Sequence, residues 1–370
     1  MATNKTDKVL NVPTLRFPGF TEEWQKSALG DICTVQMCKR IFAHQTSEVG
    51  DVPFYKIGTI GGIPDSYISK ELFDEYRCKY NYPQQGEVMI TCAGTVGKAI
   101  PFDGADSYFQ DSNIVWLSNP TDKINNKFLY YIISRVDWSR LNSTTITRIY
   151  NDDLRKLGIS YPNRTEQKKI ADFLSLLDDR IALQSKLIDH LKSLMDGIID
   201  KVTAHTQNIS IGDCLDCYSS TLQEGETEEQ GKYPVYGANG VCGYLDYATI
   251  SAPAILVVKD GSGVGNVLYT NGDCSVVGTL NYLQPKKGVS AKFLYFVLKR
   301  FNFQPYKTGM AIPHIYFKAY SKARIFCPEY EEQSRTAASL SRIEDKIALE
   351  ERLLSLIQEQ KQYLLSAMFI

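Results

Sequence analysis

The chain has 370 residues, and its 41 basic side chains nearly balance its 42 acidic ones, which leaves a net charge of −1. A charge so close to zero argues against a protein that binds every polyanion indiscriminately. The first residues contain no apolar signal-peptide core, and no apolar run reaches membrane-spanning length. We therefore expect a soluble, cytoplasmic protein with two or more domains.

The nine cysteines are scattered along the chain rather than grouped. Cys214 and Cys217 form a single CxxC pair, but no second pair or histidine cluster completes a zinc site. The four histidines are also too far apart in sequence to form a ligand set. We therefore expect reduced thiols and no metal site.

The first part of the chain alternates short strand-like segments with turns. After a polar arm over residues 1–20, the segments CTVQ, VPFYKIG, EVMITC and NIVWLS predict strands, and a helix is predicted over Lys127–Arg140. This mixture predicts a domain with both α and β structure.

A long helix is predicted from Arg164 to about Thr203. Apolar residues recur there at spacings of four and three, which makes a heptad seam in which only Gln184 is polar. Pro162 prevents the helix from starting earlier, and Thr165 is the predicted N-cap. Because such an apolar seam needs a partner, we expect it to pack against another helix along residues that include Leu174, Leu177, Ile181, Ile188 and Leu191.

The second half of the chain repeats the first. The segments ILVVK, NVLYT and LNYLQP predict strands, a helix begins near Lys292, and a second long helix is predicted over residues 331–370. When the two long helices are aligned, Glu350 falls on Gln184. The second seam includes Leu340, Ile343, Ile347, Leu354 and Ile357.

The duplication predicts an α+β architecture with pseudo-two-fold symmetry. Two mixed α/β domains would be joined by two long antiparallel coiled-coil helices. The predicted boundaries are a first globular domain over 1–163, a first long helix over 164–205, a second globular domain over 206–330 and a second long helix over 331–370.

Two glycine-rich stretches resemble phosphate-binding loops but depart from their patterns. Cys92 and Ala99 occupy the places where a P-loop needs glycine and a serine or threonine. Gly261–Gly265 suggests a dinucleotide turn, but a strand follows where a helix should begin. Because both stretches hold matching places in the repeat, we expect one structural glycine turn used twice. The alternative is phosphate binding by their backbone N–H groups, with Lys98 and Lys259 alongside.

No recognisable catalytic motif is present. Asn119-Pro120 lacks the second proline and the aromatic residue of the loop with which adenine methyltransferases hold a flipped base. We find no paired carboxylates in a nuclease pattern, so we do not expect catalysis by this chain.

The entry to each long helix carries a shared motif. Pro162 is followed by Glu166-Gln167, and Pro328 by Glu332-Gln333. Together with the opening segment over residues 13–32 and the segment over 233–240, this duplicated order resembles the DNA-specificity subunit of type I restriction–modification systems.

The resemblance implies a function for each part. Each globular domain would be a target-recognition domain that reads one half of a split site in double-stranded DNA. The helices would set the spacing and bind two modification subunits, which methylate adenine with S-adenosylmethionine. Two restriction subunits would add ATP- and Mg-dependent cleavage, while this chain would hold no cofactor of its own.

Base reading needs polar or cationic side chains on projecting loops. Arg148 and His314 hold matching places, after Ser143-Thr144-Thr145 and Thr308-Gly309-Met310 respectively, and residues 274–328 contain no acidic side chain. The candidate DNA-binding residues are Lys39, Arg40, Lys56, Lys98 and Arg148 in the first domain and Asn239, Lys259, Lys307, His314 and Lys318 in the second.

Two other functions remain open at this point. The chain could be a self-contained methyltransferase, which would bind S-adenosylmethionine by itself. It could also be a coiled-coil scaffold that holds proteins and ignores DNA sequence.

Overall fold

The computed structural model describes residues 10–121, 123–141, 148–309 and 311–370. These residues form two compact units. Unit 1 contains the described residues up to Ala182 together with Ser355–Ile370, and unit 2 comprises Leu183–Leu354. Each of the two long helices therefore contributes one part to each unit.

Unit 1 is built from short strands and helices. The strands β1 to β9 are Gln25–Ala28, Thr34–Met37, Val52–Tyr55, Tyr67–Ile68, Val88–Thr91, Ala99–Pro101, Tyr108–Phe109, Ile114–Ser118 and Gly158–Tyr161. The helices are α1 (Lys70–Lys79), α2 (Asn126–Ser134), α3 (Asn151–Lys156), the first part of α4 (Arg164–Thr203) and the last part of α8 (Tyr330–Ala367).

Strands β2-β8-β5-β6 form an antiparallel sheet in that order, strands β4-β3-β7 form a second sheet, and β1 pairs with β9. Side chains alternate between the two faces of the first sheet along each strand, and a hydrophobic core covers each face. Val88 and Ile90 of β5 face α2 and the long helices. Met89, between them, packs with residues of the second sheet and α1.

Unit 2 repeats this arrangement. The strands β10 to β20 are Ile209–Ser210, Leu215–Ser219, Tyr233–Gly237, Gly240–Leu245, Ala254–Val258, Val267–Thr270, Ser275–Val276, Leu280–Pro285, Lys307–Thr308, His314–Ile315 and Arg324–Ile325. The helices are α5 (Ile211–Cys214), α6 (Ala291–Arg300), α7 (Phe317–Tyr320), part of α4 and most of α8 (Tyr330–Ala367).

The strand orders of the two units correspond. Strands β11-β17-β14-β15 match the four-stranded sheet of unit 1, β13-β12-β16 match the three-stranded sheet, and β10 pairs with β20 as β1 does with β9. The sidedness of the sheet is also the same, since Ile255 and Val257 face one core and Leu256 faces the other. The mixed α/β architecture and its duplication are therefore confirmed.

The long helices pair in opposite directions. In unit 1, Asp178 of α4 accepts a hydrogen bond from Lys361 of α8. In unit 2, Gln184 of α4 donates to the carbonyl oxygen of Glu350 at 3.3 Å and also to its carboxylate. The two predicted polar seam positions thus meet, as expected for a polar pair that fixes register in an antiparallel coiled coil.

The predicted apolar seam is covered within the chain. Leu174, Ile188, Leu340, Ile347 and Ile357 are buried, and Leu177, Ile181, Leu191, Ile343 and Leu354 are half-buried. Continued beyond Leu191, the spacing of four and three predicts Met195 and Ile198 on the seam. Ile199 is buried and Ile198 only half-buried, so the seam shifts by one position near the end of α4. A straight helix drifts from a seven-residue repeat in this way.

Two local predictions at helix ends are wrong. The N-cap of α4 is Asn163, whose side-chain oxygen accepts the N–H of Glu166 at 3.0 Å, and Thr165 already lies inside the helix. The helix predicted over Lys127–Arg140 ends at Ser134. A separate turn follows, where Asp137 accepts the backbone N–H of Ser139 at 3.2 Å, since a short polar side chain competes with helical hydrogen bonding.

The buried glutamine of the Glu-Gln motif ties each long helix to the helix that precedes it. In unit 1, Gln167 accepts the N–H of Asn125 at 2.8 Å. It donates to the carbonyl oxygens of Lys123 at 2.9 Å and Pro162 at 2.8 Å. Asn125 caps α2, so this glutamine fixes the start of α2 against the start of α4.

Unit 2 uses the same device. Gln333 accepts the N–H of Ser290 at 2.8 Å and donates to the carbonyl oxygen of Pro328 at 2.8 Å. Ser290 caps α6. The motif on which the family resemblance rests therefore has a structural role in both units.

Candidate nucleic-acid interface

In unit 1, two loops that follow strands of different sheets lie in contact. The loop after β3 spans residues 56–62, and the glycine turn between β5 and β6 spans residues 92–98. The ammonium group of Lys98 donates to the carbonyl oxygen of Ile60 at 2.7 Å. Lys56, in the same loop, lies 3.1 Å from the carboxylate of Asp65. The structure thus brings two of the candidate cations to one end of the unit.

The glycine turn of unit 1 is held by its own hydrogen bonds. The N–H of Gly97 donates to the carbonyl oxygen of Thr91 at 2.8 Å, and the N–H of Lys98 donates to the Thr91 hydroxyl at 3.0 Å. Gly97 has a φ of +82°, and a Cβ there would lie 2.0 Å from the Trp138 ring. Glycine is therefore required at this position by both conformation and space.

Arg148 lies beside the same turn. The N–H of its neighbour Ile149 donates to the carbonyl oxygen of Cys92 at 2.9 Å. Burial raises the pKa of the Cys92 thiol to about 12, although the positive charge of Arg148 opposes this shift. The guanidinium group lies 5.9 Å from the Tyr150 ring. The Ser143-Thr144-Thr145 segment that precedes it lies outside the described residues.

Lys39 and Arg40 lie in a third loop, which follows β2 and contacts the same end of the unit. Lys39 lies 5.4 Å from the Tyr80 ring, and Arg40 forms an ion pair with Asp111. The neighbour of Asp111, Gln110, accepts the N–H of Ile57 at 3.3 Å. All five candidates of the first domain therefore lie on loops connected to one another.

In unit 2, the glycine turn over residues 259–266 occupies the same place between β14 and β15. The N–H groups of Gly261, Val264, Gly265 and Asn266 donate to protein carbonyl oxygens at 2.9 to 3.2 Å. The turn is thus a structural element in both units, as predicted. These N–H groups are already used, which argues against the phosphate-binding alternative for them.

The hairpin of β18 and β19 carries two candidates to this turn. The N–H of Ile315 donates to the carbonyl oxygen of Lys259 at 2.9 Å, and His314 forms a β-bridge with Asp260. Lys307 pairs with Ile315 across the hairpin. Lys307, Lys259 and His314 therefore lie together.

Arg148 and His314 hold corresponding positions beside the two glycine turns. In each unit the residue that follows them, Ile149 or Ile315, donates its N–H to the carbonyl oxygen at the start of the glycine turn. A different side chain, arginine or histidine, thus stands on the same backbone scaffold. Met310, which belongs to the pattern before His314, lies outside the described residues.

Asn239 is exposed at the β12–β13 turn and lines a cleft of about 640 Å³ with the glycine turn. Lys318 is exposed on α7, and no described contact ties it to the other four candidates of unit 2. One residue was missed from the sequence. The Asn266 carbonyl oxygen accepts the N–H of Val258 at 2.9 Å, as the Lys98 carbonyl oxygen accepts the N–H of Thr91 at 3.1 Å, so Asn266 holds the place of Lys98 in unit 2.

The described residues give no sign of a metal site or a membrane span. Within residues 10–121, 123–141, 148–309 and 311–370, no cluster of three or more His, Cys, Asp or Glu side chains is placed to bind a metal ion. Across the same ranges, every helix is too short or too polar to cross a bilayer. All nine cysteines are free, and six of them are buried.

Comparison with known proteins identifies the class of this duplicated fold. The model of the type I restriction modification DNA specificity domain matches residues 21–193 and again residues 207–359. The chain therefore belongs to the type I restriction modification DNA specificity family, whose members are non-catalytic subunits.

Individual relatives agree with this assignment. A putative type I restriction enzyme specificity subunit of Haemophilus influenzae is 48% identical over 163 residues, which cover 44% of this chain and 42% of that protein. A putative type I specificity subunit of Mycoplasma genitalium is 27% identical over 171 residues, which cover 40% of this chain and 44% of that protein. The matches thus span less than half the length of these two relatives.

The fold is also similar to that of a solved structure. The crystal structure of the S subunit of a type I restriction–modification system from M. genitalium superposes with a TM-score of 0.69 at 19% identity. The superposition covers 97% of this chain and 99% of that one.

Proposed function

We propose that this chain reads an asymmetric, two-part site in double-stranded DNA and directs partner subunits to it in the cytoplasm. The globular parts, residues 1–163 and 206–330, act as target-recognition domains, and residues 164–205 and 331–370 are the helices that connect them. Two modification subunits methylate adenine at the site with S-adenosylmethionine. Two restriction subunits cleave DNA with ATP and Mg, and the chain itself holds no cofactor.

The observation that carries this proposal is a repeated scaffold with unlike projecting side chains. Arg148 and His314 stand at the same place beside matched glycine turns, and Lys98 and Asn266 hold a second matched pair of places. Arginine, histidine, lysine and asparagine offer different hydrogen-bonding groups to base edges. Two equal scaffolds with different donors fit two half-sites of different sequence.

The first test is genetic. Deletion of this gene should abolish adenine methylation at one two-part motif, provided that the modification subunit is still expressed. An unchanged methylation pattern would contradict the proposal. A self-contained methyltransferase would instead release heat on titration with S-adenosylmethionine in calorimetry, and we expect none.

The second test separates the half-sites. Lys307→Glu places a negative charge on the hairpin beside the unit 2 glycine turn and should weaken binding about tenfold. The loss should fall mainly on one half-site in gel-shift titrations with the modification subunit present. Lys322→Glu, an exposed lysine of unit 2 outside the candidate set, is the matched control. A scaffold without sequence preference would bind all DNA variants alike.

We propose that the modification subunits dock on the outer faces of the long helices, since the seam residues are covered within the chain. Support comes from exposed apolar side chains on these helices in unit 2, namely Leu183, Leu187 and Leu349, which are 69%, 40% and 61% exposed. Such side chains are common where a partner binds. Leu183→Asp should reduce co-purification of the modification subunit, whereas Ser193→Asp, at another exposed position of α4, should not.

The length of the helices is proposed to set the number of unread base pairs between the half-sites. Helices α4 and α8 have 40 and 38 residues, and each carries a seam that is packed within the chain. Removal of one heptad from both helices should shorten the spacer and preserve both half-site sequences. Altered half-sites with an unchanged spacer would contradict this part of the proposal.

A further inference from the structure

An exposed aromatic pair stands at the end of unit 1 that carries the candidate DNA-binding residues. Phe42 is 53% exposed, and its ring is stacked on His44 with a centroid distance of 5.9 Å and an interplanar angle of 10°. Lys39 and Arg40 stand three and two positions before it in the chain. A single exposed apolar side chain is common on protein surfaces, but this ring is stacked on His44 and lies close in sequence to two cations.

The turn that presents Phe42 is well fixed. The Phe42 N–H donates to the Gln45 side-chain oxygen at 2.9 Å, and the Gln45 N–H donates to the Phe42 carbonyl oxygen at 2.9 Å. The hydroxyl of Thr46 donates to Ala43 at 2.9 Å. The aromatic ring is therefore held outward by a pre-organised backbone, and a ligand would not have to order it.

Unit 2 contains the same turn with different projecting residues. There the Gln223 N–H donates to the side chain of Glu226 at 2.7 Å, and the hydroxyl of Thr227 donates to Glu224 at 2.8 Å. Gln223 therefore corresponds to Phe42, and Gly225 corresponds to His44. The two turns have the same hydrogen bonds but different first residues, Phe42 and Gln223, just as Arg148 and His314 differ at matched positions.

We propose that Phe42 and Gln223 are equivalent specificity-determining residues, one for each half-site. In the major groove, the Phe42 ring contacts the methyl group of a thymine, and the Gln223 amide bonds to the N6 and N7 edge of an adenine. His44 supports the Phe42 ring from behind. This inference rests on the proposed function, because it assigns the chemistry with which two of its loops read DNA.

The charge around Phe42 favours DNA as the occupant. Lys39, Arg40 and Lys79 line a cleft of about 430 Å³, and Arg40 stands two positions before Phe42. Arg40 is paired with Asp111, which is joined through Gln110 to the loop that carries Lys56. The aromatic pair thus shares a surface with the cations assigned to the first half-site.

The decisive experiment removes one methyl group from the DNA. Full-length chain with its modification subunit is titrated with a set of duplexes in which each thymine of the half-sites is replaced in turn by deoxyuridine. We expect one substitution in a single half-site to weaken binding about four- to tenfold, since a buried methyl group contributes on this scale. The variant Phe42→Ala should bind thymine and deoxyuridine duplexes equally.

The partner experiment uses Gln223→Ala and duplexes with 7-deazaadenine in place of each adenine. One such position in the other half-site should weaken binding of the wild-type complex and leave the variant unaffected. Val49→Ala, with a side chain 85% exposed in unit 1, controls for loss of exposed apolar surface. Thermal unfolding of each variant verifies that the turn substitutions leave the fold intact.

The outcomes are distinct. If the wild-type complex binds a specific site but no deoxyuridine substitution separates it from Phe42→Ala, the role of Phe42 is refuted while the proposed function stands. If both turn variants affect the same half-site, the equivalence of the two positions is refuted. If the wild-type complex shows no sequence preference at all, the proposed function itself is wrong.

Discussion

Unit 1 and unit 2 use the same Glu-Gln motif in two ways. The glutamines Gln167 and Gln333 are both buried and make corresponding hydrogen bonds to the start of the preceding helix. The glutamates differ. Glu166 is fully buried and accepts hydrogen bonds from Nε and Nη2 of Arg16 at 2.6 and 2.7 Å, whereas Glu332 is exposed.

The difference shows which half of the motif the repeat requires. The glutamine maintains the fold in each unit, while the glutamate is used where a segment from elsewhere in the chain reaches it. Two segments from outside its globular part complete unit 1. Arg16 comes from the segment before the first strand, and Phe369, which follows α8, packs against Trp24 and Phe128. The two units therefore share one scaffold but differ in how that scaffold is completed.

Loss of Arg16 should have the largest effect and should be confined to unit 1. Arg16→Met leaves the Glu166 carboxylate buried without its partner, which should cost about 4 kcal/mol in the free energy of unfolding. Hydrogen exchange should become faster in α2 and remain unchanged in α6. Glu332→Gln is the matched control in unit 2 and should change stability by less than about 0.5 kcal/mol. Equal losses in the two units would contradict the difference described here.

Loss of the Phe369 side chain should have the second-largest effect on stability. This side chain is 4% exposed, and its ring lies 5.1 Å from that of Phe128 and 6.1 Å from that of Trp24. Phe369→Ala should destabilise unit 1 by about 3 kcal/mol, since the last residues of the helix can partly close the cavity. The neighbouring Ile370→Ala, at a side chain that is 49% exposed, serves as the control in denaturant titrations.

The two glutamines should respond alike. Gln167→Leu and Gln333→Leu each leave one buried N–H and at least one carbonyl group without a partner, so each should cost about 2 kcal/mol. Exchange at the start of α2 should be faster in the first variant, and exchange at the start of α6 in the second. Gln358→Leu, at an exposed position of α8, is the control. A large effect in one unit alone would mean that the glutamine is not equally important in both.

Much of this scaffold could be predicted from the sequence because it depends on periodicity and duplication. The seam of α4 and the polar pair of Gln184 and Glu350 follow from residue spacing alone, whereas the N-cap at Asn163 does not. The end of α2 at Ser134 does not, because a local bond of Asp137 ends it.

The candidate interface was predictable in part. Cations on loops were visible in the sequence, and so was the match between Arg148 and His314. The correspondence of Asn266 with Lys98, and of Gln223 with Phe42, was not, because it depends on backbone hydrogen bonds rather than on residue identity. Arg16 was likewise missed, since its partner Glu166 is far away in sequence.

A smaller difference between the units concerns pH. In unit 2, Glu344 accepts hydrogen bonds from Lys292 at 2.8 Å and Tyr295 at 2.5 Å. Burial alone would raise the pKa of this carboxyl group, but these two bonds and the positive charges of Lys292 and Lys299 together hold the pKa below its usual 4.5. A carboxyl group with a lowered pKa in the folded state stabilises the fold above the pKa of the unfolded chain. That contribution is lost as the pH falls through the lower, folded-state value.

Glu344→Gln should therefore destabilise unit 2 near neutral pH, and the difference from the wild type should shrink as the pH is lowered below about 4.5. Hydrogen exchange of α6 measured between pH 3 and pH 7, and corrected for the intrinsic rate, would give this dependence. Glu332→Gln provides the comparison, since this exposed carboxylate makes no described side-chain bond. A Glu344→Gln difference that stayed constant over the whole range would mean that the group acts through packing, because only an ionised carboxylate couples stability to proton binding.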